Sequence, residues 1–415
     1  MQQAETRSAS DGVLDAMTNW KVLIISLLAW TLTNMDQAFF AYAIPGILAE
    51  FDLPLEAAGI ILTISFVISS ILLVFAGHAA DRFGRGPMLS LYLAVSALLV
   101  GLQGFAGGIV LLTLFRAFGF GISTGLSPIT NAYVAENVVP RVRGLAMGVL
   151  QCGYPLGWFL ASMFAVPLLA SHGWRAMCFA AFLVIPVAGI FYWLLRNEPD
   201  VKVSTEATER PGAIRVLFSS AHRRKSLASI VTYFAFGGAY AGSAFYFPTF
   251  FTEVRGYTPS EAADLVGLSN GIGIAGYLVA AVVGEFLLTR RNVFVIWALG
   301  GTLALAGLMW LPESRLEDLI WYAATAALFY GSLAVLPVLI AEIFPQEIRA
   351  SALSACASAP LSLGFAVFPL IVPLVVGAVG WQLGFTVVIC PLLLVAVVAA
   401  LFLPNRKSGI ELEQS

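Results

Sequence analysis

Apolar segments long enough to cross a lipid bilayer recur along the whole 415-residue chain. A membrane-crossing helix needs about 20 consecutive, mostly apolar residues. Segments of that length alternate here with short breaks that contain Pro, Gly or charged residues. Only 11% of the residues are charged and 59% are hydrophobic, whereas a soluble domain is about one quarter charged. We therefore predict an all-α membrane protein with twelve transmembrane helices, at 20–45, 57–77, 87–106, 109–134, 143–169, 174–195, 226–251, 261–287, 291–311, 317–341, 348–375 and 379–403.

The distribution of Lys and Arg predicts which side of the membrane each loop occupies. With an even number of spans both termini share one side, and most of the 22 Lys and Arg residues fall on that side. The opposite side carries only Arg175, Arg255 and Arg315. Because cytoplasmic loops are enriched in Lys and Arg, we expect cytoplasmic tails at 1–19 and 404–415.

Short sequence segments recur at half the chain length. AENVVPRVRG at 135–144 resembles AEIFPQEIRA at 341–350, and GWR at 173–175 resembles GWQ at 380–382. A charged cluster that follows the second span of the first repeat is expected to be lost in the second repeat, where the sequence reads GEFLLTRR.

This repeat predicts the domain organisation. We expect two six-helix bundles, at 20–195 and 226–403, joined by a cytoplasmic linker at 196–225. Parallel repeats of this kind place a shared binding site between the halves, near the middle of the membrane.

The segment GHAADRFGRG at 77–86 resembles the cytoplasmic loop signature G-x-x-x-D-R-x-G-R of the major facilitator superfamily. Within that superfamily, RGLAMGVLQCGYPLGWFLAS followed by GWRAMCF is similar to the proton symporters of aromatic acids and sialic acid. The resemblance implies proton-coupled symport of a small organic acid anion by alternating access, carried out by a monomer in a bacterial inner membrane.

The charged residues of GHAADRFGRG are predicted to form a gate. Gly84 and Gly86 permit a tight turn that side chains would obstruct. The resemblance implies that Asp81 meets the start of helix 11 near Arg349 and that this contact breaks during transport. The alternative is a solvated basic loop that only sets the topology. The predicted gating residues are Asp81, Arg82, Arg85, Glu136, Arg143, Glu342 and Arg349.

Asp36 and Arg116 are charged residues deep inside predicted spans. Ionisable residues in the membrane are costly and indicate functional sites by default. Counted at about 1.5 Å per residue from the helix ends, both side chains lie at overlapping depths. We predict that Asp36 carries the transported proton, and that Arg116 either binds a substrate carboxylate bidentately or releases Asp36 when the substrate takes its place. The alternative is a permanent ion pair that joins helices 1 and 4.

Polar and aromatic residues at helical spacing outline a binding pocket. Gln151 and Tyr154 share one face of helix 5, and Asn270 and Tyr277 share one face of helix 8. Packing between helices is the alternative role for each of these residues. The predicted substrate-binding residues are Arg116, Gln151, Tyr154, Tyr240, Asn270, Tyr277 and Tyr330. By contrast, Tyr246 and Tyr257 are expected to be anchors at the outer membrane interface.

Other functional classes are less compatible with these residues. The chain has no HExxH, P-loop or CxxC motif and no nucleophile–base pair, which argues against an enzyme. It has no basic stripe for nucleic acid. The four cysteines lack metal-ligand or disulfide spacing, so we expect no metal and no cofactor. The main alternative is a proton-coupled drug or metabolite efflux antiporter, followed by a non-transporting membrane sensor.

Overall fold

A computed structural model describes residues 19–197 and 213–405, and every regular element in these ranges is a helix. Up to residue 197 the α-helices are α1 (Trp20–Glu50), α2 (Leu55–Phe83), α3 (Arg85–Gln103), α4 (Ile109–Asn137), α5 (Pro140–Gln151), α6 (Gly153–His172), α7 (Trp174–Ala180) and α8 (Val184–Leu195). From residue 213 they are α9 (Ala213–Leu217), α10 (Arg223–Ala244), α11 (Phe247–Glu253), α12 (Pro259–Phe286), α13 (Arg290–Trp310), α14 (Arg315–Leu328), α15 (Leu336–Ile343), α16 (Gln346–Ala352), α17 (Ala359–Val379) and α18 (Trp381–Leu401).

Eleven helical stretches in the described part of the chain are long and apolar enough to cross a membrane. Short 3₁₀ or π segments interrupt or extend some of them, at Ala181–Leu183, Tyr330–Ala334 and Leu353–Ser358. The span predicted at 226–251 instead forms α10 and α11. Helix α10 has 22 residues, but Gly, Ser, Ala and Tyr occupy much of it, so it is less apolar than the others.

Two helix boundaries differ from the sequence expectation. Pro45 lies inside α1, which continues to Glu50, because neighbouring helices in a membrane protein can compensate for the hydrogen bond that proline removes. Helix α2 extends to Phe83, so Asp81 belongs to its last turn rather than to a loop. Only Gly84 separates α2 from α3, and its φ of 96° is a conformation that favours glycine.

Two helix pairs form the most extensive contacts between the two repeats. Helix α6 packs on α12, and α2 packs on α17. Gly267 of α12 lies so close to Ser162 of α6 that an added methyl group would overlap with it, and Gly59 of α2 lies equally close to the carbonyl of Pro369 in α17. Small residues allow membrane helices to approach in this way. Within the repeats, α1 packs on α4 and α6, and α10 packs on α17 and α18.

We name the two ends of the helical assembly after their residues. The Glu50 face is where α1 ends and α2 begins, and the Asp81 face is where α2 ends and α3 begins. Near the Glu50 face, the Ser260 hydroxyl donates a hydrogen bond of 2.8 Å to the carbonyl of Val166. Contacts between the repeats therefore extend to the Glu50 face.

Candidate functional site

The structure brings Asp36 of α1 and Arg116 of α4 together. Arg116 Nη1 lies 3.7 Å from Asp36 Oδ1, with 0% and 10% of the two side chains exposed. The guanidinium carbon of Arg116 lies 4.2 Å from the ring centre of Phe40 and 4.6 Å from that of Phe120. Within the described residues, neither Asp36 oxygen and none of the Arg116 nitrogens has a hydrogen-bond partner. The charge of Asp36 is therefore stabilised mainly by Arg116, and the charge of Arg116 is stabilised by Asp36 and by the rings of Phe40 and Phe120.

A cavity of about 270 Å³ borders Asp36 on the side of α3 and α6. Asp36 is the ionisable residue in its lining, and Thr33 and Ser96 add hydroxyl groups. The other lining side chains are apolar, among them Phe39 and Leu160. Asp36 thus faces an open volume inside the first repeat as well as its arginine partner.

A second polar group, which we call the tyrosine cluster, consists of Tyr154, Tyr240, Tyr277, Tyr322 and Tyr330. Tyr240 of α10 donates a hydrogen bond to the hydroxyl of Tyr154 in α6. The ring centre of Tyr240 also lies 4.8 Å from that of Tyr330. Tyr277 of α12 lies beside the residue that follows Tyr330, because a methyl group added to Gly331 would lie 3.3 Å from the backbone nitrogen of Tyr277. The cluster therefore contains residues of both repeats.

Several donors in and beside the tyrosine cluster have no acceptor. The hydroxyl groups of Tyr277, Tyr322 and Tyr330, and the indole nitrogen of Trp158, are buried without a hydrogen-bond partner among the described residues. Buried polar groups in folded proteins are nearly always hydrogen-bonded. The tyrosine cluster therefore offers a ligand three neutral hydroxyl groups that can donate or accept, beside an indole nitrogen that can only donate.

Aromatic rings connect the Asp36–Arg116 pair to the tyrosine cluster. Phe120, which lies against Arg116, has its ring centre 5.0 Å from that of Phe66. The ring of Phe66 in α2 lies 5.2 Å from that of Phe365 in α17, and Phe365 lies 5.8 Å from Tyr240. These contacts form one continuous path between the two polar sites and across the repeats.

Two ion-pair clusters lie at the Asp81 face. In the first repeat, Arg85 contacts Asp81 at 2.6 Å and Glu136 at 2.9 Å. In the second, Arg290 contacts Glu285 at 2.6 Å and Glu342 at 2.7 Å. The expectation that the second repeat loses this cluster is wrong, because Glu285 and Arg290 of GEFLLTRR form equivalent contacts. Glu285 precedes its arginine by five residues rather than four, and this hides the similarity in the sequence.

The same geometry is repeated at the Glu50 face. The indole nitrogen of Trp174 donates to Glu50 at 2.7 Å, and that of Trp381 donates to Glu253 at 2.8 Å. A glycine with positive φ precedes each tryptophan. The GWR and GWQ segments thus position corresponding tryptophans, each of which joins the last helix of its repeat to an earlier one.

Comparisons with known proteins identify the family. The sequence model of the Major Facilitator Superfamily matches residues 23–336 and 290–414. The chain belongs to this superfamily. This confirms the resemblance carried by GHAADRFGRG.

Similar curated proteins of the superfamily are transporters. The cis,cis-muconate transport protein of Acinetobacter baylyi is 24% identical over 404 residues, which cover 94% of this chain and 95% of that protein. A gallate transporter of Pseudomonas putida is 26% identical and covers 82% of each chain. This superfamily member is therefore a multi-pass membrane transporter and not an enzyme.

Solved structures show the same fold. A D-xylose-proton symporter superposes with a TM-score of 0.73 at 20% identity, covering 95% of this chain and 99% of that chain. A bacterial homologue of the human lysosomal transporter Spinster, in an inward-facing and unoccupied conformation, superposes with a TM-score of 0.71 at 19% identity, covering 92% and 95%. The major facilitator fold is thus shared over nearly the whole chain.

The predicted pocket residues of this superfamily member lie in different surroundings. Four of them belong to the tyrosine cluster: Tyr240, Tyr277 and Tyr330 are buried, and Tyr154 accepts a hydrogen bond from Tyr240. Asn270 is buried and donates through its amide to Val266 of the same helix. Gln151 ends α5 and is partly exposed. The described contacts of Arg116 are with Asp36, Phe40 and Phe120, and none is with the tyrosine cluster.

Only some of the predicted gating residues contact each other in the structure. Asp81 bonds to Arg85, and Arg349 Nε has no hydrogen-bond partner among the described residues. The contact expected between Asp81 and the region of Arg349 is not formed in this structure, because the last turn of α2 directs Asp81 towards Arg85. Arg82 is exposed and lies 5.3 Å from the ring of Phe83. The side chain of Arg143 lies outside the described residues.

The prediction that Tyr246 is an anchor at the outer membrane interface is wrong. It is fully buried and donates to the carbonyl of Pro369 in α17, because α10 ends at Ala244 and the chain turns inward. Tyr257 lies near the Glu50 face and donates to Asp318 at 2.7 Å. Desolvation and the Asp318 carboxylate raise the pKa of Tyr257 to about 12.

Sequence reasoning missed Tyr322 and the role of Phe365. Tyr322 precedes Tyr330 by eight residues, but α14 ends at Leu328, between the two tyrosines. Phe365 lies on a predominantly apolar helix, so no sequence signal distinguishes it from lipid-facing phenylalanines.

Proposed function

We propose that this chain is a proton-coupled symporter of a small organic acid anion, an aromatic acid or another carboxylate, in a bacterial inner membrane. The observation that carries the proposal is the tyrosine cluster with its unpartnered neutral donors. A carboxylate offers about four acceptor positions and can satisfy several such donors at once. Two similar proteins are named for muconate and gallate, which are carboxylates.

The proposed architecture has twelve spans, with α10 as the seventh. Its 22 residues correspond to about 33 Å at 1.5 Å per residue, which matches a hydrocarbon core of about 30 Å. Its position against α17 and α18 supports this assignment. The two six-helix bundles are 20–195 and 226–403, and both tails lie in the cytoplasm. The linker at 196–225 lies largely outside the described residues.

We assign proton binding to Asp36. Burial opposes its charged form, and the nearby Arg116 favours it. When Asp36 accepts a proton, the attraction between α1 and α4 at this point disappears. The aromatic path through Phe120, Phe66 and Phe365 then links this loss of attraction to Tyr240 in the tyrosine cluster. In this scheme Arg116 responds to Asp36, and the tyrosine cluster binds the substrate.

The ion pairs at the Asp81 face fit a role in the conformational cycle. Asp81, Arg85 and Glu136 fix α2, α3 and α4 relative to each other, and Arg290 with Glu342 does the same in the second repeat. We propose that Arg349 receives Asp81 when the Asp81 face closes. Alternating access then consists of exchanging contacts within a repeat for contacts between repeats.

Efflux of a cationic drug remains the alternative function. The unpartnered hydroxyl groups of Tyr277, Tyr322 and Tyr330 can donate to a carboxylate but can also accept hydrogen bonds, and aromatic rings also bind cations. The unpartnered indole nitrogen of Trp158, which can only donate, is the group that favours an anionic substrate.

Transport by purified protein in proteoliposomes tests the proposal. We expect an inward proton gradient to drive accumulation of cis,cis-muconate, gallate or nicotinate, and Asp36→Asn to abolish it. Exchange of labelled for unlabelled substrate should persist in Asp36→Asn, because exchange needs no net proton movement. A folded Asp36→Asn protein that still accumulates substrate would exclude Asp36 as the proton carrier.

A double variant controls for stability. Asp36→Asn leaves Arg116 as an unpaired buried charge, at a cost of about 3–5 kcal/mol, which can impair folding by itself. Asp36→Asn combined with Arg116→Gln removes both charges. If this double variant melts like the parent protein and still cannot accumulate substrate, the loss results from the missing proton site.

A further inference from the structure

An outward-facing groove lies between α10 and α18. Its cavity has a volume of about 530 Å³ and is lined by Arg224, Leu227, Ala228, Val231, Leu394, Val395, Val398, Ala399 and Phe402. Leu227 and Val398 are 47% and 55% exposed, whereas Ala228 and Ala399 are each 8% exposed. The small alanines therefore form the floor, and the larger aliphatic side chains form walls that face the surrounding lipid.

The dimensions of the groove suit the upper part of a lipid acyl chain. Helix α10 begins and α18 ends at the Asp81 face. From Arg224 to Val231 the groove follows α10 for about 10 Å, and from Phe402 to Leu394 it follows α18 for about 12 Å. It thus extends from the membrane surface through about one third of a hydrocarbon core of about 30 Å.

Arg224 places a positive charge at the mouth of this apolar groove. Its guanidinium lies 5.4 Å from the ring centre of Phe402, and none of the ion pairs found among the described residues involves it. The neighbouring Lys225 differs, because its ammonium group donates to the carbonyl of Ile343 at 2.8 Å. Arg224 is therefore available for an external anion, and a guanidinium matches the geometry of phosphate.

We propose that the groove binds one anionic glycerophospholipid, with its phosphate on Arg224 and one acyl chain between α10 and α18. The apolar walls select an aliphatic chain, and the charge at the mouth selects a headgroup with net negative charge. Basic residues at a membrane surface attract anionic lipids in this way. The site is separate from the tyrosine cluster and the Asp36–Arg116 pair, so it does not depend on the proposed transport function.

Lipid binding to the detergent-purified full chain tests the proposal. The probes are phosphatidylglycerol, phosphatidylcholine with the same acyl chains, and inorganic phosphate, and the measurements are thermal shift and native mass spectrometry. A ligand that binds the folded state raises its melting temperature. We expect phosphatidylglycerol to bind at least about tenfold more tightly than phosphatidylcholine, and inorganic phosphate at equal concentration to give no shift.

Three variants distinguish binding in the groove from general attraction between charges. Arg224→Gln should weaken phosphatidylglycerol binding about tenfold, which corresponds to about 1.4 kcal/mol. Arg223→Gln, which removes the same charge from an exposed neighbouring residue outside the groove lining, should leave binding close to that of the parent. Ala228→Phe fills the floor and should also weaken binding. Equal binding of both lipids, equal loss in Arg223→Gln, or an equal shift from inorganic phosphate would overturn the proposal.

Discussion

Tyr277→Phe tests whether the unpartnered donors of the tyrosine cluster bind the substrate. The change removes one buried hydroxyl that has no hydrogen-bond partner among the described residues and leaves the ring in place. Deleting an unsatisfied buried group is close to neutral or stabilising for the fold. We therefore expect the melting temperature of the substrate-free protein to be unchanged or slightly raised.

Substrate affinity should fall in the same variant. A hydrogen bond to a charged group contributes about 1.5–3 kcal/mol, and each 1.4 kcal/mol is a tenfold change in Kd. Loss of one hydroxyl–carboxylate bond should therefore raise Kd by a factor of about 10–150. Isothermal titration of the purified protein with the transported acid measures this change directly.

Tyr233→Phe is the matched control. Its hydroxyl donates to the carbonyl of Leu336 at 2.8 Å, so this variant loses an existing bond. We expect it to lose about 1 kcal/mol of stability and to retain substrate affinity. The reasoning fails if Tyr277→Phe binds the acid as tightly as the parent, or if Tyr233→Phe weakens binding to the same extent.

Three further predictions concern the packing and the ion pairs. Glu136→Gln should slow transport in proteoliposomes without changing substrate Kd, because it weakens the Arg85 cluster away from the tyrosine cluster; a parallel loss of affinity would contradict this. Gly267→Ala should lower the melting temperature and transport rate, because the added methyl overlaps with Ser162, whereas Gly189→Ala, with open space around it, should change neither; equal effects would refute the close-contact explanation. Trp174→Phe should lower the melting temperature by removing the bond to Glu50, and an unchanged melting curve would show that this contact does not stabilise the fold.

The membrane fold was predictable to a large extent because the length of each apolar run can be read from a single stretch of the sequence. Eleven of the twelve predicted spans correspond to described helices that are long and apolar enough to cross a membrane. The other, predicted at 226–251, is divided between α10 and α11, and its small residues make α10 the least apolar long helix. Pro45 was misread as a helix end, because proline ends helices in water more often than between packed membrane helices.

Within the site, a contact was predictable where the depths of two residues along their helices are enough to show that they meet. Asp36 and Arg116 were expected to meet because their distances from the helix ends agree, and they lie 3.7 Å apart. The Glu285–Arg290 contact was missed because its spacing differs by one residue from that of Asp81 and Arg85. The burial of Tyr246 depends on the turn after α10, and no local pattern encodes that turn.

The neutral character of the tyrosine cluster affects how the membrane potential acts on the transport cycle. Moving one elementary charge across the membrane costs or releases about 2.3 kcal/mol per 100 mV. Phenol and indole donors carry no formal charge, and the Asp36–Arg116 pair is neutral as a whole. An empty carrier of this type can return to its starting side with little opposition from the potential. When a monoanion and one proton bind together, the loaded carrier is also neutral, so the concentration gradients of proton and substrate, and not the membrane potential, would set the direction of net transport.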